Sequence, residues 1–186
     1  MQTLGQTNEQ VTDPRAAGPV RIYWLAFLLT GQREPSLDLA IEVLDSPGGE
    51  QSFFSTWMLS WSRKVVIAKA LNLIRDELAA SARRTASASG GNQAPANWSL
   101  DPNTNKYQLE RALLAIDVFP RCALVLSVFE GAPLADVAIL LGVDEDLARR
   151  GQAAGLLELT NNLAGMQGKT SGSDYSYVLT SEMQHA

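Results

Sequence analysis

The sequence predicts an all-helical protein of two small lobes joined by a flexible linker, and three observations carry that prediction. Apolar residues recur at helical spacing along the 186-residue chain, while no run of alternating β-branched residues marks a strand. A polar stretch, 85-TASASGGNQAPANWSLDPNTNK-106, holds only Asp101 and Lys106 as charges and separates two helical halves. Within the second half, Gly142-Val143 divides two apolar stripes in the manner of a helix-turn-helix. The expected organisation is a first lobe over 18–84, a linker over 85–106 and a second lobe over 107–162. Mobile ends are expected over 1–17 and 163–186, which are polar and aperiodic.

In chain order, Gly18-Pro19 punctuates and a helix follows over about 20–30, with Tyr23, Trp24, Phe27 and Leu28 as core candidates. Gly31 ends it. The next helix, roughly 35–44, is expected to carry Leu37, Ile41 and Leu44 inward. Asp38 and Glu42 then fall one turn apart on a solvent-facing strip, either as a solvated face or as a contact for a basic partner. After 46-SPGG-49 comes the longest helical stretch, 53–84, with room for one break. Between 63 and 84 it holds six bases against two acids, so Arg63, Lys64, Lys69 and Arg75 are candidate phosphate contacts. Phe53, Phe54, Trp57 and Trp61 precede them. Such aromatics can stack unpaired bases or simply fill a core, and spacing alone leaves both readings open.

The second lobe is read most sharply over 133–146. Pro133 opens a helix, and Leu134, Val137, Ala138 and Leu141 form one stripe at i, i+3, i+4, i+7. Gly142 sits where a left-handed C-cap is required. Asp144 stands as the next N-cap, with Glu145 and Asp146 placed well against the positive end of the helix dipole. Small Ala138 permits a close helix crossing. An ordinary helical hairpin is the alternative to a helix-turn-helix.

Composition narrows the function classes. Acids outnumber bases by 20 to 15, so no global field draws the chain to nucleic acid. The single cysteine, Cys122, excludes an internal disulfide and a cysteine-rich zinc site, and its apolar neighbours Val125, Leu126 and Phe129 favour a buried thiol over a nucleophile. His185, the only histidine, lies at the very end of the chain. There is no glycine-rich phosphate loop after a strand, no His/Cys ligand spacing and no nucleophile beside a base, so neither enzymatic activity, nor a cofactor, nor a metal is expected. The longest apolar run, Ile22 to Leu29, is too short to span a bilayer, and Glu9 and Asp13 precede it where a secretion leader would be basic. A cytoplasmic protein without membrane insertion is the expectation.

Two motifs resemble bacterial RNA polymerase sigma factors of the small extracytoplasmic-function group. In the first lobe, 30-TGQREPSLDLAIEVL-44 is similar to the family's Thr-Gly, acidic spacer and Asp-Leu-x-x-Glu stretch. The resemblance places Asp38 and Glu42 on the acidic positions that face the clamp helices of the polymerase. Phe54, Trp57 and Arg63 match the following pattern, whose helix meets melted promoter DNA. In the second lobe, 121-RCALVLSVFEGAPLADVAILLGV-143 is similar to the family's Arg-x-Val-Leu-x-Leu, Glu-Gly and Leu-Gly-Val run. The matching stretches cover about half of the chain, with Glu130-Gly131 and Leu141-Gly142-Val143 the most specific pieces. The resemblance implies a transcription regulator that binds core RNA polymerase and promoter DNA, with an anti-sigma protein as a further partner. Arg149, Arg150 and Gln152 would then enter the major groove.

The departures set up a rival. After the turn the family has Thr-Val-Lys-x-Arg, whereas this chain has 144-DEDLARRGQAAGLLEL-159, with Arg149 at the lysine position and Gly151 at the arginine position. Ile41 replaces the glutamine common between the family's acidic positions. Residues 107–160 hold eight acids and four bases, which opposes approach to phosphate. Gly151 and Gly155 thin the recognition helix. The rival reading is a degenerate sigma-like adaptor that binds a protein partner and reads no DNA.

Overall fold

The computed structural model describes residues 17–44, 55–88, 102 and 104–166. All regular structure among these residues is helical, as the periodicity predicts. The chain divides into two compact units at Leu73/Ile74.

The first unit comprises α1 (Ala17–Thr30), α2 (Arg33–Leu44) and α3 (Ser55–Leu73), each packed on the other two. α1 supplies the fully or almost fully buried Ile22, Leu25, Ala26, Phe27 and Leu29; Tyr23, Trp24 and Leu28 are only half-buried. Tyr23, Trp24 and Phe27 form one aromatic cluster with ring centroids 5.7–5.9 Å apart. α3 turns Val66, Ile67 and Ala70 inward.

α2 departs from its expected rotation. Ser36, Ala40 and Val43 are buried, whereas Leu37, Ile41 and Leu44 are 51%, 49% and 39% exposed. Thr30 is the physical reason. Its hydroxyl is buried at the end of α1, accepts the Gln32 backbone N–H at 3.1 Å and hydrogen-bonds with Ser36 Oγ at 2.8 Å. Thr30 Oγ1 also bonds to the Ala26 carbonyl at 3.0 Å and Ser36 Oγ to the Gln32 carbonyl at 2.5 Å, so this small network ties the Ser36 face of α2 to the end of α1. The small residues on that face allow close approach, and the large stripe is left outside.

The second unit begins with α4 (Arg75–Ser87), followed by α5 (Lys106–Leu114), α6 (Val118–Leu124), a π-helical turn (Val125–Phe129), α7 (Leu134–Leu141) and α8 (Glu145–Met166). Helical periodicity groups 75–84 with the first lobe; the structure instead breaks the helix at Ile74 and packs α4 on α6 and α8. Leu78 and Ala82 provide the apolar face of that contact, and Ser81 Oγ accepts the Phe119 N–H at 2.9 Å. Of the linker expected over 85–106, residues 85–87 extend α4 and Asn105 caps α5; residues 89–101 and 103 lie outside the described residues. So do the expected ends, apart from Ala17, which opens α1, and 163–166, which complete α8.

α6 is the centre of this unit. All seven of its residues are buried, as expected for a helix apolar all round. Arg121 is the exception in kind, and its Nη1 donates to the Ile116 carbonyl at 3.1 Å, just past the end of α5, and to the Leu114 carbonyl at 3.4 Å. α8 lies across α6 at Gly151 and Gly155. A Cβ at Gly151 would fall 2.6 Å from Phe119 Cε1, and one at Gly155 would fall 2.5 Å from the Pro120 carbonyl oxygen. These glycines therefore serve the interior crossing of α6 and α8.

Candidate functional site

The turn between α7 and α8 forms with the caps that the sequence predicts. α7 ends at Gly142 (φ 67°, ψ 36°), and the Val143 N–H reaches back to the Ala138 carbonyl at 3.0 Å, the six-to-one bond of a Schellman cap. Asp144 Oδ1 accepts the Leu147 N–H at 2.7 Å and so caps α8. Pro133 stands at the N-cap of α7, one position before the first helical residue. Val137, Ala138 and Leu141 are buried behind the turn.

The outer face of α8 is less suited to reading DNA than its arginines suggest. Arg149 donates to Glu145 Oε1 at 2.6 Å and to Asp146 Oδ1 at 2.8 Å, so both guanidinium arms are occupied within its own helix. Arg150 is exposed and Gln152 is half-buried. Asp144, Glu145 and Asp146 stand at the end of the helix that would meet the groove first. Arg121 is buried, so it offers no direct contact to a phosphate.

An ionic cluster joins α4 to the start of α6. Arg84 makes a two-pronged contact with Asp117, Nη2 to Oδ1 at 2.8 Å and Nε to Oδ2 at 3.0 Å. Asp117 also caps α6 by accepting the Val118 N–H at 2.9 Å. Burial works against the Asp117 carboxylate, yet hydrogen bonds from Arg84, Ser81 and the Val118 N–H, with the charge of Arg84, hold it below the ordinary aspartate range. Glu158 is shifted the other way: burial raises it, the nearby Asp117 charge adds to the rise, and the Asp117 N–H only partly opposes them. Cys122, wholly buried, has its thiol pushed up to about 12, which removes it as a nucleophile.

In the first unit, Asp38 and Glu42 are exposed on α2, beside the outward Leu37, Ile41 and Leu44. On α3, Lys64 is exposed, and Arg63 and Lys69 are half-buried. Lys69 Nζ forms an ion pair with Glu42 Oε1, which joins two residues that the sequence assigns to different ligands. Arg75 is exposed but belongs to α4 in the second unit, not to the helix that carries Arg63, Lys64 and Lys69. Trp61 is 38% exposed; Phe53, Phe54 and the side chain of Trp57 lie outside the described residues. Sequence reasoning missed the apolar ridge of α2, and the signal that could have found it is the Thr30–Ser36 spacing across the turn.

Among the described residues no group of three or more His, Cys, Asp or Glu is arranged to hold a metal ion, and no helix is long and apolar enough to cross a membrane. No family model, curated protein or solved structure matches the chain, so the likeness to sigma factors rests on the motifs quoted above.

Proposed function

We propose that the protein is a sigma-factor-like regulator of transcription initiation that docks on core RNA polymerase through α2. One observation carries this reading: α2 presents an outward ridge of Leu37, Ile41 and Leu44 with Asp38 and Glu42 alongside. Interface cores are apolar with complementary charge around them, and this face suits a partner with apolar side chains set among bases. The motif likeness of 30–44 points to the same partner. In this reading Arg63 and Lys64 of α3 supply phosphate contacts to promoter DNA. The test is retention of core polymerase by the full chain and by Leu37→Asp/Ile41→Asp and Asp38→Ala/Glu42→Ala variants. All four side chains are exposed, so folding should change little, about 0.5 kcal/mol per site. Both variants are expected to lose the polymerase; retention of either at the wild-type level counts against α2 as the docking helix.

A second reading, the adaptor that binds protein and reads no DNA, is favoured by one specific feature. Both arms of Arg149 are held by Glu145 and Asp146, and the leading end of α8 is acidic. Duplex DNA binding by the full chain at low salt separates the two readings, because phosphate contacts strengthen steeply as salt falls.

A further inference from the structure

Glu42 and Lys69 are far apart in sequence but paired in space, joining α2 to α3. Both remain open to solvent, with 61% of the Glu42 side chain and 38% of the Lys69 side chain exposed. Glu42 stands on the ridge proposed to meet a basic partner surface, and Lys69 on the helix whose cations suit phosphate. Neither residue can serve an outside ligand fully while it serves the other.

We infer that the Glu42–Lys69 pair is a latch that couples protein docking on α2 to nucleic-acid binding by α3. A basic partner that takes Glu42 releases Lys69 toward a phosphate, and a phosphate that takes Lys69 releases Glu42 toward the partner. Whichever ligand comes first breaks the pair, and the second ligand no longer has to. The coupling is therefore positive and must be equal in both directions. Its ceiling is the strength of the pair itself. For an exposed Lys–Glu contact that is about fivefold in affinity (about 1 kcal/mol), falling as salt screens it. The inference rests on reading α2 as the docking helix and concerns how that site is regulated.

The experiment is a double-mutant cycle on the polymerase-free full chain, read as affinity for a fluorescent oligo(dT) strand at low salt. Glu42→Gln is expected to tighten binding by about twofold to fivefold, because Lys69 is set free. In a Lys69→Gln background the same change should keep only the small gain that comes from removing one negative charge. Asp38→Asn, which removes the neighbouring acid of α2, should have a smaller effect, equal in both backgrounds. An equal gain from Glu42→Gln with and without Lys69 would show that only the general field had changed, and would overturn the latch. So would no gain at all, or no binding by any form of the chain. Core polymerase retention by Ile41→Asp is measured alongside. Loss of retention with no latch signal keeps the docking reading and discards the coupling, whereas full retention discards both.

Discussion

Gly151 and Gly155 have different meanings in sequence and in space. Read along the chain they weaken a recognition helix; in the structure they are the contact points of α8 on α6. Nothing in a single sequence tells an exposed helical glycine from one that admits a neighbouring backbone. Gly155→Ala would drive a methyl group into the Pro120 carbonyl, and Gly151→Ala into the fully buried Phe119 ring. Overpacking costs about 1–3 kcal/mol, more than the roughly 1 kcal/mol that alanine gains over glycine in a helix. Both variants should lower Tm in far-UV circular dichroism melts, whereas Gly165→Ala, with nothing within 4 Å, should not. The carboxylates give a second prediction. Asp117 is held below its ordinary range, so its contribution is present at neutral pH and lost as pH falls through its lowered folded value. Glu158 is raised, so its ionised form costs stability at neutral pH, and that cost disappears as pH falls through its raised value. Asp117→Asn should therefore lower Tm at pH 7 and Glu158→Gln should raise it. Both differences should shrink on acidification, and two shifts of the same sign would contradict the assignment.

At the level of the element, legibility depended on whether one residue type could satisfy a position. The α7–α8 turn was readable because a left-handed cap, an N-cap acceptor and an apolar stripe each demand particular residues, and Gly142, Asp144 and Leu134–Leu141 supply them. α2 was misread because two stripes compete for the inside, and polarity favours the larger. The choice was made by a hydroxyl pair between α1 and α2, a tertiary fact that hydrophobic period cannot encode. For α8, a guanidinium already holding two carboxylates must leave them before it can meet a base. Arg150→Ala should therefore weaken duplex binding at low salt more than Arg149→Ala, and Glu145→Gln with Asp146→Asn should strengthen it. Equal losses from the two arginine variants would show that the carboxylates do not restrain Arg149. Absence of binding throughout would pass the second unit to the adaptor reading.

For the whole molecule, the all-helical class followed directly from composition and period, but the position of the division did not. Composition points to 85–106, where polar and small residues gather; the packing divides the chain at Leu73/Ile74, inside what periodicity reads as one helical stretch. Leu78 and Ala82 look like any other helical stripe until their partners on α6 and α8 are known. A protease site engineered into 92–95 should accordingly cut the chain without freeing α4 from α6. The N-terminal fragment should co-purify with the C-terminal one, and Ser81→Ala with Arg84→Ala should loosen that association. Clean separation of the fragments from the parent sequence would place α4 with the first unit after all. The same feature bears on how such a chain could be shuffled. A crossover in the polar stretch would give the hybrid a foreign α4, and with it mismatched partners for Phe119 and Asp117. A seam at 73/74 keeps donor and acceptor together, so inherited modules of this architecture should change hands at the break between α3 and α4, not in the polar stretch that follows.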